Sequence, residues 1–139
     1  MKPIIANIKA RRPSKIQKVW ELVATPANYC AWRSDLRKTE ILNKKQFIEY
    51  TETDICTKFT VIRSDPYRRL EFMMESRSMS GRWYGTFTPF GDETEIDFTE
   101  YITVKNIFMR LLIKFYPRKQ QSRFVADIKK KLTRTECNL

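Results

Sequence analysis

The sequence predicts an α+β domain: a curved antiparallel sheet of six to seven strands wrapped around one long C-terminal helix, with two short helices at one end. Three observations carry this. Between Leu36 and Val104 apolar residues recur at every second position in short runs separated by turn residues, the period of a half-buried strand. Before them, Ile16, Val19, Trp20 and Val23 stand at helical spacing. After them, Phe124, Ile128 and Leu132 lie four residues apart with Val125 beside them, one narrow apolar stripe on a helix. So narrow a stripe has to lie on something apolar, and the sheet supplies one such face.

Taken in order, residues 4–10 alternate weakly and predict a first strand. Ser14 and Gln17 have the spacing of a capping box for a helix over 14–24. Thr25-Pro26 then restarts the chain as a second short helix, threonine as N-cap and proline at the first position, carrying Tyr29, Cys30 and Trp32. Strands are predicted near 37–42, 46–51, 55–63, 69–77, 81–89 and 94–104. The breaks, such as Ser64-Asp65-Pro66 and Phe90-Gly91-Asp92-Glu93, have turn chemistry, and connections this tight make neighbours antiparallel. The last stretch, 106–133, reads as two helical pieces. Pro117 separates residues 107–115 from a closing helix over 118–133, because proline is tolerated best in a helix's first turn.

The later strands separate two faces. Phe59 and Val61; Leu70, Phe72 and Met74; Trp83, Gly85 and Phe87; and Ile96, Phe98, Glu100 and Ile102 share one parity. The other parity is mostly polar, as in an antiparallel sheet covered on one side. The first two sheet strands are ambiguous in parity. Glu100 interrupts the apolar face, and a carboxylate there must be paired, solvated or protonated. A strand irregularity that lets it reach water or a lysine competes with a polar anchor inside a cavity, and the former is favoured.

Composition bounds the rest. The 139 residues are 42 % hydrophobic with only three glycines, which suits one folded domain over 1–139. The first residues are too short in their apolar run for a signal peptide. No stretch has the length and apolarity to span a bilayer, the best being broken by Arg110 and Lys114. Cys30, Cys56 and Cys137 are odd in number and lack metal spacing, so they read as reduced thiols and a cytoplasmic location.

There is no histidine, which removes the commonest general base, Ser–His and Cys–His pairs and most zinc sites. No glycine-rich phosphate loop exists. Asp92, Glu93, Glu95 and Asp97 fall on a turn and the wet face, and nothing basic is spaced to activate Cys56. No catalytic residue, metal or cofactor is therefore expected. Glu100, Tyr29 and Tyr116 are the polar groups left to a reaction that works by positioning.

Val19-Trp20-Glu21-Leu22-Val23-Ala24-Thr25-Pro26 with Trp32, then Asp65-Pro66-Tyr67-Arg68-Arg69-Leu70-Glu71-Phe72, then Gly81-Arg82-Trp83-Tyr84-Gly85-Thr86-Phe87-Thr88-Pro89 followed by Glu93-Thr94-Glu95-Ile96-Asp97-Phe98 give a pattern over nearly the whole chain. It resembles the START-related (SRPBCC) superfamily, which has the helix-grip fold and includes plant pathogenesis-related allergens and polyketide cyclases/dehydrases; beside its best-known members the segment before Ser14 is short, which implies a shortened first strand. The resemblance implies a cavity between sheet and closing helix, used in the family for lipids, hormones, polyketides and other apolar molecules. The residues placed there are Phe59, Leu70, Phe72, Trp83, Phe87, Phe98, Ile102, Phe124 and Ile128. Glu100 is the polar contact, and Leu112 belongs to a gate over 107–115. The expected function is binding of a small apolar ligand by a monomer or homodimer. A cyclase/dehydrase-type enzyme is the alternative, and an interaction protein using its basic helix is the third.

The net charge is +11, and ten basic residues between Lys105 and Arg134 face one acid, Asp127. Such asymmetry invites nucleic acid or an anionic membrane, but a helix with one buried face also needs a solvated back. The second reading is favoured: no specific nucleic acid, and at most weak contact with anionic surfaces. Binding to non-specific DNA or anionic vesicles is then expected to be weak and to vanish near physiological salt. Tight binding at that salt, lost when Lys129, Lys130 and Lys131 become glutamine, overturns the reading.

Overall fold

The computed structural model describes residues 3–53, 55–105 and 116–137. Seven strands form one curved antiparallel sheet in the order β1-β7-β6-β5-β4-β3-β2. They are β1 (Ile4–Arg12), β2 (Leu36–Asn43), β3 (Gln46–Thr51), β4 (Cys56–Asp65), β5 (Arg69–Glu75), β6 (Met79–Phe90) and β7 (Glu93–Val104). The helices are α1 (Ile16–Ala24), a 3-10 helix (Pro26–Ala31) and α2 (Tyr116–Cys137). Among the described residues no helix is long and apolar enough to cross a membrane.

The parity expected for β4 to β7 holds. Leu70, Phe72, Met74, Trp83, Phe87, Ile96, Phe98 and Ile102 are all buried, and the ladder sets Phe72 opposite Trp83, and Gly85 opposite Phe98. Onto this face α2 lays Val125, Ile128 and Leu132, all buried, with Phe124 packed against them. A fully buried side chain of this size contributes ~1.5–3 kcal/mol, so the joint between helix and sheet needs no other cause. On the same face α1 buries Val19, Trp20 and Val23.

Four expectations are corrected. β1 is not shortened: its nine residues pair with β7 from Ile4 opposite Ile102 to Arg12 opposite Thr94. The capping box does not form. Lys15 holds the N-cap position of α1 without a side-chain cap, while Ser14 is buried and its carbonyl accepts from Thr94 Oγ1 at 2.8 Å. The second helix is a single 3-10 stretch with no side-chain bond from Thr25. α2 begins at Tyr116, so Pro117 sits inside its first turn, where a missing amide hydrogen costs no helical bond. The predicted piece over 107–115 lies outside the described residues.

The ambiguity of the first sheet strands has a physical cause. The β2–β3 register shifts twice, between Leu36 and Lys38 and between Ile41 and Asn43, and each irregularity flips the facing of the residues beyond it. β3 itself is regular and turns Phe47 and Glu49 inward.

Two turns hold residues at positive φ. Gly91 (φ 63) closes the β6–β7 hairpin, and Tyr67 (φ 67) closes β4–β5 with its ring edge-on to Trp20, centroids 6.1 Å apart. Gly81 matters for another reason: a Cβ there would lie 2.1 Å from the Tyr101 carbonyl oxygen. Backbone, not a pliable side chain, would have to move. Gly81→Ala is expected to cost ~1–3 kcal/mol or more, read as a lower urea midpoint. An unchanged midpoint would mean that β6 and β7 separate easily at this point.

Candidate functional site

Between the concave face and the first turns of α2 lies a cavity of about 100 Å³. Its apolar wall comes from strand residues of shared parity. Phe59, Phe72 and Trp83 follow one another across β4, β5 and β6, with centroids 5.9 and 5.4 Å apart, and Phe124 of α2 faces Trp83 at 6.4 Å. Ile102 and Met74 complete that side.

Polar side chains are set among these rings, and Arg33, bound by Asp35 and Glu49, is their centre. Arg33 follows the 3-10 helix and enters the interior with its side chain only 10 % exposed. Its Nε and Nη2 donate to Asp35 Oδ1 and Oδ2 at 3.1 and 2.7 Å, and its Nη1 donates to Glu49 Oε2 at 2.7 Å. The guanidinium also lies 4.9 Å from the Phe124 ring centroid and 5.1 Å from that of Tyr29, a placement that favours a cation. Burial works against the Arg33 charge, but Glu49 and Asp35 outweigh it and raise its pKa. Glu49 is pushed up by burial, with Arg33 pulling the other way.

Glu100, the residue that interrupts the strand pattern, is half-buried and lines the cavity. The expected strand irregularity is absent, since β7 pairs regularly on both sides of Glu100. Among the described residues Glu100 has no ion pair or hydrogen bond. Burial first, then the charge of Glu49, push its pKa up to about 8, with Arg33 opposing.

Two neighbouring glutamines of α2 finish the wall. Gln120 donates to Asp35 Oδ2 at 3.3 Å. Gln121, 3 % exposed, donates to the carbonyls of Ala6 and Phe98 at 3.0 and 3.2 Å. Because both partners are acceptors, the amide orientation is fixed, and its Oε1 is left without a donor.

Of the residues expected to form the site, Phe59, Phe72, Trp83, Glu100, Ile102 and Phe124 come together around the cavity. Leu70, Phe87, Phe98 and Ile128 do not line it. They are buried in the packed core, on the right face but where Trp20 of α1, 5.1 Å from Phe87, fills the space. Leu112 lies outside the described residues. Tyr29 lines the cavity, but its hydroxyl donates to the Val23 carbonyl; burial raises its pKa, Glu49 adding and Arg33 opposing. Cys56 is exposed. Arg33, Asp35, Glu49, Gln120 and Gln121 were not expected. For Gln121 a signal existed: 121, 125, 128 and 132 continue the apolar stripe of α2 by one turn.

No protein-family model matches the chain, and no curated protein matches its sequence. Solved structures do. A START superfamily protein from Mycobacterium smegmatis superposes with TM-score 0.86 at 11 % identity, over 94 % of this chain and 98 % of that one. The fold is the START-like helix-grip fold. A conserved protein from Geobacillus kaustophilus (TM-score 0.80, 14 % identity, 94 % and 96 % covered) and the Zhui aromatase/cyclase from Streptomyces sp. R1128 (0.77, 14 %, 94 % and 93 %) share it. At such identities the START-like likeness concerns backbone architecture, and the chemistry has to be argued from this chain's own side chains.

A carboxyl whose pKa is raised on folding binds its proton more tightly in the folded state. Its contribution is therefore intact below the unfolded value, near 4.5, and is lost as pH rises toward about 8. Each pH unit in that window costs up to ~1.4 kcal/mol, an upper bound because cavity water screens the charge. Urea unfolding of wild type against Glu100→Gln from pH 5 to 8 is expected to show the wild type losing stability relative to the variant. Parallel curves would mean that Glu100 titrates normally.

Proposed function

We propose that this chain binds a compact, mainly apolar molecule in the cavity between the sheet and α2, without a reaction of its own. The observation that supports this is a cavity lined by aromatic rings with a few polar groups, Arg33, Glu49 and Glu100, set among them. Such pockets hold the body of a ligand by burial and orient it by a few polar groups.

Size narrows the reading. A cavity of about 150 Å³ accepts benzene, whereas pockets for larger ligands run to ~300–1,000 Å³. At about 100 Å³ the site suits a molecule of a few heavy atoms; a lipid or a polyketide would need it to open. The exposed thiols of Cys30 and Cys56 support a reducing, hence cytoplasmic, setting.

The enzyme reading rests on one specific observation. Glu100 titrates at about 8 inside a cavity, the property of a general acid or base working near neutrality. Binding without catalysis is favoured because Arg33 is already engaged by two carboxylates and the Tyr29 hydroxyl by a carbonyl. Turnover that disappears in Glu100→Gln while binding persists would reverse the preference.

The test is a panel of compact apolar molecules followed through the Trp83 indole resonance. Phe72→Trp, which adds volume against Trp83, is expected to weaken binding at least tenfold while costing no more than ~1–3 kcal/mol of stability. If no member of the panel binds wild type, the space is packed core and the ligand-binding function is wrong.

A further inference from the structure

The charge on the cavity wall points to the head group of the ligand, given the binding function proposed above. Among the described lining residues the ionisable groups are one cation, Arg33, and two carboxylates, Glu49 and Glu100, besides the Tyr29 phenol. Arg33 is already engaged: three of its N–H groups donate to Asp35 and Glu49, and its charge is paired with them. Glu100 makes no ion pair among the described residues, and the pull of Arg33 on it is outweighed by burial and Glu49. An acidic ligand would therefore meet two carboxyl groups and no free cation among the described lining residues, and like charges repel.

Two further features favour the opposite sign. Gln121, almost wholly buried in the same wall, has its Oε1 without a donor while its amide nitrogen is engaged by Ala6 and Phe98. Ala6 is the register partner of Glu100 on β1, and Trp83 its partner on β6, so the orphan acceptor, the uncompensated carboxyl and the largest ring of the wall are neighbours. Aromatic faces attract cations through their quadrupole, Trp most strongly, and Phe59, Phe72 and Phe124 extend that surface.

We propose that the cavity selects a compact protonated amine, its ammonium held by Glu100 against the Trp83 side of the wall and its short apolar body against Phe59, Phe72 and Ile102. The geometry discriminates against the matching carboxylic acid.

Protonation is coupled to this event. The groups facing Glu100 are Glu49 on β3, Arg33 and Asp35 at the end of the 3-10 helix, and Gln121 on α2; the carboxyl is largely protonated below about pH 8 when the cavity is empty. An ammonium that binds the carboxylate releases that proton. Affinity is then expected to rise with pH by up to tenfold per unit between pH 6 and 8 and to level off above.

The experiment uses three molecules of one skeleton: 3-methylbutylamine, 3-methylbutan-1-ol and 3-methylbutanoate, titrated into the wild-type chain at pH 8. Binding is read by the Trp83 indole resonance, and proton release by calorimetry in two buffers of different ionisation enthalpy. The amine is expected to bind at least tenfold tighter than the alcohol and the acid, with proton release at pH 7, and Glu100→Gln is expected to abolish both the preference and the release. An acid that binds as tightly as the amine, or an amine whose affinity is unchanged in Glu100→Gln, overturns the head-group assignment and leaves the binding function standing. If none of the three perturbs Trp83, both fall. The ligand comparison needs only the wild-type protein, so it decides the matter even if the variant does not fold.

Discussion

The structure turns on the three residues Arg33, Ser34 and Asp35, where the chain leaves the 3-10 helix and enters β2. Arg33 ties them to β3 through Glu49. Ser34 donates from its amide and its hydroxyl to Asp127 of α2, and its carbonyl accepts from Arg123. Asp35 accepts from Gln120. At the other rim of the sheet Gln121 reaches Ala6 of β1, and Arg12 reaches the Val125 carbonyl. α2 is thus moored along both rims by polar contacts and along its middle by one apolar stripe. A stripe one side chain wide cannot fill the concavity between those moorings, and the unfilled part is the cavity. The site is a consequence of how the helix is attached.

The same three residues explain why the interior tolerates charge. A buried ion pair rarely adds net stability over a well-packed apolar replacement, while removal of one member costs ~3–5 kcal/mol. The Arg33 cluster is therefore poor evidence for a stability device. It has geometric value: the fork of the guanidinium fixes Asp35 and Glu49 relative to each other, and through them the distance between β3 and the start of α2. Glu100 stands outside that arrangement. It shares the low dielectric and feels the negative charge of Glu49 without a bond to Arg33, which is why its proton is held while Glu49 remains paired.

The features legible in the sequence are the local ones. Parity along β4 to β7 and the spacing of Phe124, Ile128 and Leu132 each depend on a few adjacent residues, and both survive in the structure. So does the anomaly at Glu100, because a carboxyl at an apolar position is visible without knowing its neighbours. β2 was opaque because its two register shifts break the period that parity arguments need. Arg33 and Glu49 were opaque for a different reason: they meet across 16 residues, and among 27 lysines and arginines no local pattern marks the one that turns inward. Ser14 shows the converse error. Its capping spacing is real, but a buried place against Thr94 won over the helix end. Leu70, Phe87, Phe98 and Ile128 show that parity gives the face of a residue but not its depth along the sheet, which α1 decides by filling one end.

The net charge belongs to the surface and says little about the site. Lys119, Lys129 and Lys130 are exposed on the back of α2, while Asp127, the acid among them in sequence, is buried against Ser34. The outside of the helix is therefore more basic than its composition suggests. At physiological ionic strength exposed charges are screened beyond about 8 Å, so these lysines act weakly on a group across the helix. Charges that share the enclosed space act on it with little screening. Among the described residues the ionisable groups at the cavity are Arg33, Glu49, Glu100 and the Tyr29 phenol, and their balance does not follow the net charge of the molecule. A ligand held there would meet these groups and not the lysines on the back of α2.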